Sequence, residues 1–335
     1  MRTTAHGQTG TETGTQTAVP ARPSPSRARL RVAVRVLFVL AVLACAGVGL
    51  RGRWGDFVAA LTGVRPLDLA GAAACVLVGL WLTAGTWLRL LRGFGHRLPP
   101  YEGPRVFFTG QLGKYIPGAV WSLGAHADLA RPYGVGVRTA VATGLLFLVV
   151  NVATAGALAG ALVTAGVPAL PVPRWTGPIA VVLCLAALTP PVVDALGTRL
   201  ARHGGRLGLG WGDMAVLCAR MAATWLCYAG SVVALAPRPS LELLAVATGG
   251  FAAAYVVGVA VVVAPAGVGA REVALVALLA PHTGVGHATA IALVTRVLQT
   301  LGDFTAAAAA HGWAQVRGRL AGRRPAPADQ AGPAD

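Results

Sequence analysis

The sequence predicts an all-α integral membrane protein: a polytopic helical bundle of about eight helices, two of them Pro/Gly-broken or re-entrant. Three observations carry this. The 335 residues are 55% hydrophobic and 12% charged, with a mean hydropathy of +0.65, a balance typical of polytopic membrane chains. Apolar runs of roughly 20 residues, enough to cross ~30 Å of hydrocarbon, recur along the chain. No polar stretch between them is long enough for a soluble domain. The net charge of +16 sits as Arg at the ends of apolar runs, where anionic lipid headgroups are the natural counter-charge. No basic face interleaved with aromatics sits on a soluble domain, so nucleic acid is excluded as a partner.

Residues 1–28 are rich in Thr, Gly, Pro, Ser and Ala without apolar periodicity and read as a disordered tail. Arg22, Arg27, Arg29 and Arg31 lead into an apolar run at 32–50, read as a first membrane helix with a cytoplasmic N-terminus. A cleaved signal peptide is disfavoured, because the leader is long and no A-x-A site precedes a soluble domain. Further spans follow at 67–91, 139–165, 176–196, 214–236, 241–263 and 287–311. Trp81, Trp87, Trp175, Trp211 and Trp313 fall near their ends, as interface anchors do. Loops 92–105 and 197–212 carry three Arg each and are assigned to the cytoplasm. This alternation requires 106–138 to enter and leave on one side. A short broken helix at 265–281 brings the basic tail, 316–335, back to the cytoplasm. Residues 29–315 are thus the membrane domain. The five Cys all lie in apolar runs, without a CxxC, and read as packing residues.

Residues 106–138 concentrate the polar groups. Lys114 is the only lysine in the chain. Gly113, Pro117 and Gly118 interrupt the helix, and the freed backbone groups together with the Lys114 ammonium suit a phosphate or carboxylate. On a helix after Pro117, Ser122 and His126 are spaced i,i+4, and Asp128 and Arg131 i,i+3. A second cluster lies at 262–281, where Gly267 and Gly269 open a short helix with Arg271 and Glu272 in its first turn. Glu272 suits the positive helix end as a cap; Arg271 does not, and needs another partner, a lipid phosphate being one. A third lies on the last span. Arg296, Gln299 and Asp303 share one face, which must point inward, with Arg296–Asp303 or Arg296–Glu272 as the internal pairs. Arg220 is a further cation at membrane depth. GVGVRTAVA at 134–142 resembles GVGHATAIA at 284–292, which suggests two halves with interrupted helices meeting near the midplane. No GxSxG, HExxH or Walker A motif occurs, so no enzyme, metal or cofactor is expected.

GQLGKYIPGAVWS with LARPYGV, then PAGVGAREVALVALL and the downstream Arg296, resemble the lysylphosphatidylglycerol synthase transmembrane-region family over residues 30–315. This is the flippase-like membrane domain of multiple peptide resistance factor proteins. The resemblance implies a membrane domain that translocates lipid, without the soluble synthase domain that two-domain members carry. Some archaeal stand-alone relatives have been linked to glycosylation through polyprenyl-phosphate lipids. The expected function is a lipid transporter or flippase of the cytoplasmic membrane, handling a phospholipid or lipid-linked headgroup. Lys114, Arg131, Arg271 and Arg296 would line a polar cavity and take the phosphate. Asp128, Glu272 and Asp303 would balance the site. The alternative is a non-catalytic membrane partner of a glycosyltransferase or other cell-envelope enzyme. A membrane-embedded transferase is least expected, since no acid/base pair with a metal site is evident.

Overall fold

The computed structural model describes residues 55, 58–59, 62–116, 121–166, 172–201, 207–260 and 269–321. The expected tail at 1–28, the expected first helix at 32–50 and site residues Pro117, Gly118 and Gly267 lie outside these.

The described residues form ten α-helices: α1 (Pro66–Gly93), α2 (Glu102–Gln111), α3 (Trp121–Ala130), α4 (Val137–Thr164), α5 (Thr176–Ala187), α6 (Pro190–Ala201), α7 (Trp211–Ala234), α8 (Leu241–Ala260), α9 (Ala270–Thr283) and α10 (Val285–Ala321). Short 3₁₀ turns at Leu112–Tyr115 and Arg131–Tyr133 follow α2 and α3. The fold is all-helical as expected, but the count is ten rather than about eight. One cause is the expected span 176–196. Pro190 and Pro191 cannot continue a helix from upstream, so it divides into α5 and α6, bent by 59°. The other is 106–138, which holds two short helices.

Helices α1, α4, α7 and α8 are long and apolar enough to cross a membrane, and α5 with α6 makes a fifth if the bent pair is one span. This is the architecture of a multi-pass membrane protein. Helix α10 covers the expected span 287–311 and continues to Ala321, past the expected start of the tail. It is not among the four because Arg296, Gln299 and Asp303 dilute its apolar character. Its amphipathicity is inverted relative to a soluble helix. Gln299 and Asp303 are buried, while Val297, Leu301 and Phe304 are half or more exposed. That is the pattern of a helix whose outer solvent is hydrocarbon.

Two hydrophobic clusters fill the interior. One joins Leu146 and Val150 of α4, Leu217 and Trp225 of α7, Phe251 of α8 and Leu275 of α9. The other joins Val76 and Trp87 of α1, Phe107 and Phe108 of α2, and Ala127 of α3. Helix α10 belongs to both. Ala288, Ile291 and Ala292 lie in the first cluster, and Ala306, Ala307 and Ala310 in the second. Trp87, expected at the membrane surface, is fully buried and stacks on His126 at 4.9 Å; the other four expected anchors remain substantially exposed.

The two similar nine-residue strings occupy equivalent places. Each opens on a glycine with positive φ, +76° at Gly134 and +80° at Gly284, a region that only glycine enters without penalty. Each glycine follows a short helix and precedes a long one.

Close packing also depends on glycine at one helix contact. A Cβ on Gly113 would lie 2.7 Å from the backbone of Ser122, whereas a Cβ on Gly124 of α3 would meet nothing within 4 Å. Gly113→Ala should therefore lose about 1–3 kcal/mol by overpacking, and Gly124→Ala should gain up to about 1 kcal/mol of helix propensity. Thermal unfolding in detergent reads these as Tm shifts of opposite sign.

Candidate functional site

Helix α2 and the helix after it form a hairpin whose ends lie together. Arg105, near the start of α2, bonds Glu102 and donates to the Tyr133 hydroxyl at 3.1 Å, beyond the end of α3. Burial and the adjacent Glu102 carboxylate push the Tyr133 hydroxyl above its ordinary range. The two ends of the expected segment 106–138 thus lie side by side. At its tip the α-helix tightens into the 3₁₀ turn Leu112–Tyr115. Ile116 then turns extended, as a residue before proline is driven to do.

That turn aims two side chains at α10. The Lys114 ammonium lies 2.6 Å from the Asp303 carboxylate, and the Tyr115 hydroxyl donates to the same oxygen at 2.5 Å. Tyr115 also stacks on Phe304 at 5.6 Å. Asp303 is 4% exposed and Lys114 32%. The carboxylate is thus sealed inside while its cation keeps one side open.

The second break reaches the same helix about two turns away. Gly269, at φ +90°, precedes α9, and its N–H donates to Glu272 Oε2 at 2.5 Å. The other Glu272 oxygen lies 3.4 Å from Arg296 Nε. One carboxylate therefore caps α9 and pairs with α10. Both groups of this pair are mostly buried. Seven residues of helix put Arg296 and Asp303 ~10 Å apart along α10. Of the two pairs expected for Arg296, the structure has the one with Glu272.

Arg271 lies beside the second pair, close enough to feel the charges of Arg296 and Glu272, while the remaining expected members stand elsewhere. Arg271 finds an aromatic partner within the protein: its guanidinium lies 4.5 Å from the centre of the Phe251 ring on α8, a cation–π contact. His126 is buried, with Nε2 3.1 Å from the Phe107 carbonyl and its ring between Trp87 and Phe107; it is a packing group. Ser122 is half-buried where its backbone meets Gly113. Asp128 and Arg131 are exposed and form no ion pair with each other among the described residues. Exposure to solvent screens the attraction that their i,i+3 spacing offers. Among the described residues, then, Lys114 and Arg296 stand in ion pairs with Asp303 and Glu272, Arg271 lies over a ring beside the second pair, and Arg131 is exposed. An open cavity of about 400 Å³ lies between α1 and α7, and none of these residues lines it.

Tyr115 and Gly110 belong to this arrangement without having been singled out in the sequence. Tyr115 adjoins Lys114 in the K-Y-I-P-G string. Gly110 leaves room for His126, whose ring would lie 2.2–2.8 Å from any Cβ there. Among the described residues no group of three or more His, Cys, Asp or Glu could hold a metal ion.

No known protein-family model matches the chain, and no curated protein matches it. The resemblance to the lysylphosphatidylglycerol synthase transmembrane region rests on its motifs alone.

The unequal burial of Lys114 and Asp303 gives an ordered prediction. Lys114→Met strands a buried carboxylate and should cost about 3–5 kcal/mol. Asp303→Asn leaves an ammonium that can turn to solvent and should cost less. The double variant Lys114→Met/Asp303→Asn should recover about 0.5–3 kcal/mol relative to the sum. Thermal unfolding of the four proteins in one detergent measures all three.

Proposed function

We propose that this chain is a lipid transporter of the cytoplasmic membrane, in which the two ion pairs on α10 hold a closed state that a lipid headgroup opens. The observation carrying this is that each helix break is held to α10 by one charge pair: Lys114 to Asp303 and Glu272 to Arg296. Charges at membrane depth are costly and are retained where they act on a substrate or move. A headgroup phosphate is a direct competitor for Lys114, which already offers a third of its surface. Once phosphate takes the ammonium, Asp303 keeps only Tyr115 and loses its cation, and the hairpin is free to leave α10. A cationic headgroup substituent would then suit Asp303 or Glu272. The motif resemblance points the same way. In this reading the N-terminus and the basic loops face the cytoplasm, no cofactor takes part, and the chain is not an enzyme.

A second reading has one observation in its favour. Asp128, Arg131 and Arg138 are exposed beside the hairpin's exit, where a partner protein could engage them. The chain would then be a non-catalytic membrane partner of a glycosyltransferase or other cell-envelope enzyme.

Leaflet-resolved lipid assays on proteoliposomes separate the two. Wild type should speed exchange of a labelled phospholipid between leaflets, and Lys114→Gln/Asp303→Asn, which removes both charges together, should reduce the rate at least tenfold with normal reconstitution. Exchange no faster than in empty vesicles contradicts transport. Loss of cell-envelope function in Asp128→Ala/Arg131→Ala, with exchange intact, favours the partner reading.

A further inference from the structure

The open cavity between α1 and α7 holds a cation that neither ion pair uses. Leu77, Val78, Trp81, Leu82 and Gly85 of α1 form its wall, and Arg220 of α7 lies at one end. Arg220 is nine residues into α7, ~13 Å along the helix from its start. One of its Nη atoms donates to the Gly85 carbonyl at 2.8 Å. Among the described residues Arg220 forms no ion pair with a carboxylate, and Arg89 and Arg92 stand close enough to repel it. The nearby carboxylate, Asp213, is taken by Arg89 at 2.8 Å. Among the described residues the charges acting on this guanidinium are Arg89 and Arg92, of which only Arg89 is paired with a carboxylate, and a cation so placed calls for an anion.

We infer that this groove holds an anionic phospholipid as a resident lipid, its phosphate on Arg220 and an acyl chain along Leu77, Val78 and Trp81. The groove is apolar along its length and cationic at one end, which matches the two parts of such a lipid. Undescribed parts of this chain suit it less well. Residues 29–50, which include the expected first helix, carry three Arg and no Asp or Glu, so that helix would add cations to the site; the first carboxylate after it is Asp56. None of the four ion-pair residues on α10 and the two breaks lines the groove. The two regions are neighbours: Gly302, next to Asp303, packs against Val76, Leu77 and Leu80 of α1, and Trp81 in the groove wall meets Trp313 of α10.

Native mass spectrometry of the full chain, titrated with phosphatidylglycerol or phosphatidylcholine, tests this. Wild type should retain one phosphatidylglycerol at least tenfold more tightly than Arg220→Gln, which removes the charge and keeps a polar side chain. Phosphatidylcholine binding should be equal in the two. Val78→Trp keeps the cation and fills the groove, and should lose the same lipid; its surface position spares the fold if Arg220→Gln fails to assemble. Lys114→Gln/Asp303→Asn should retain the lipid, which keeps this result independent of the transport reading. Unchanged phosphatidylglycerol binding in both Arg220→Gln and Val78→Trp overturns the inference, and is what a groove filled by residues 29–53 would give. Inorganic phosphate displacing the lipid no better than chloride is expected, since the acyl chain supplies much of the binding.

Discussion

One carboxylate, sealed within the bundle, fixes how the hairpin of α2 and α3 meets α10. Asp303 is almost without solvent, and a buried charge persists only if it is paired and hydrogen-bonded. Lys114 and Tyr115 meet that demand from a segment far away in sequence. To do so, α2 must stop short, tighten into a 3₁₀ turn and end before Pro117. The close approach of that turn to α3 then excludes any side chain larger than hydrogen at Gly113. The local geometry of the hairpin follows from the requirement to deliver an ammonium and a phenol to one oxygen.

Helix α10 extends the same logic to the second break. Its N-terminal part packs with α4, α7, α8 and α9, and its C-terminal part with α1, α2 and α3. Between these lie Arg296 and Asp303, each bound to one of the interrupted segments. A helix that carries buried charge in its middle and apolar side chains outward can serve as a beam between two hydrophobic clusters. Breaking either pair loosens one broken segment without dissolving the cluster behind it. Apolar contacts would hold the segments more firmly, but they could not be displaced by a charged headgroup. Under the proposed transport reading, ion pairs between breaks and beam would hold when unliganded and yield to a ligand of the right charge, as a gate requires.

Much of the fold could be read from residues in sequence order. Apolar run length located α1, α4, α7 and α8, because hydrocarbon thickness imposes it. Run length alone does not show the split of 176–196, which Pro190 and Pro191 impose. The inward face of Arg296, Gln299 and Asp303 followed from helical periodicity alone. Partner choice did not. Arg296 had two plausible acids, and only the placement of α9 selects Glu272. The Lys114–Asp303 contact joins opposite ends of the chain and leaves no local trace. Asp128 and Arg131 misled for the converse reason: their spacing suits a pair, but spacing says nothing about which face of α3 is buried. The surroundings of His126 were likewise hidden, because its ring neighbours Trp87 and Phe107 come from other helices.

Since Lys114 is the only lysine in the chain, its ammonium can be observed without any background. Solid-state NMR of bilayer-embedded protein labelled with ¹⁵N-lysine and ¹³C-aspartate measures the dipolar coupling between that one nitrogen and a carboxyl carbon. The ion pair at 2.6 Å predicts strong coupling to a single Asp, absent in Asp303→Asn. A lysine signal with no carboxyl coupling, or coupling that survives Asp303→Asn, would contradict the account.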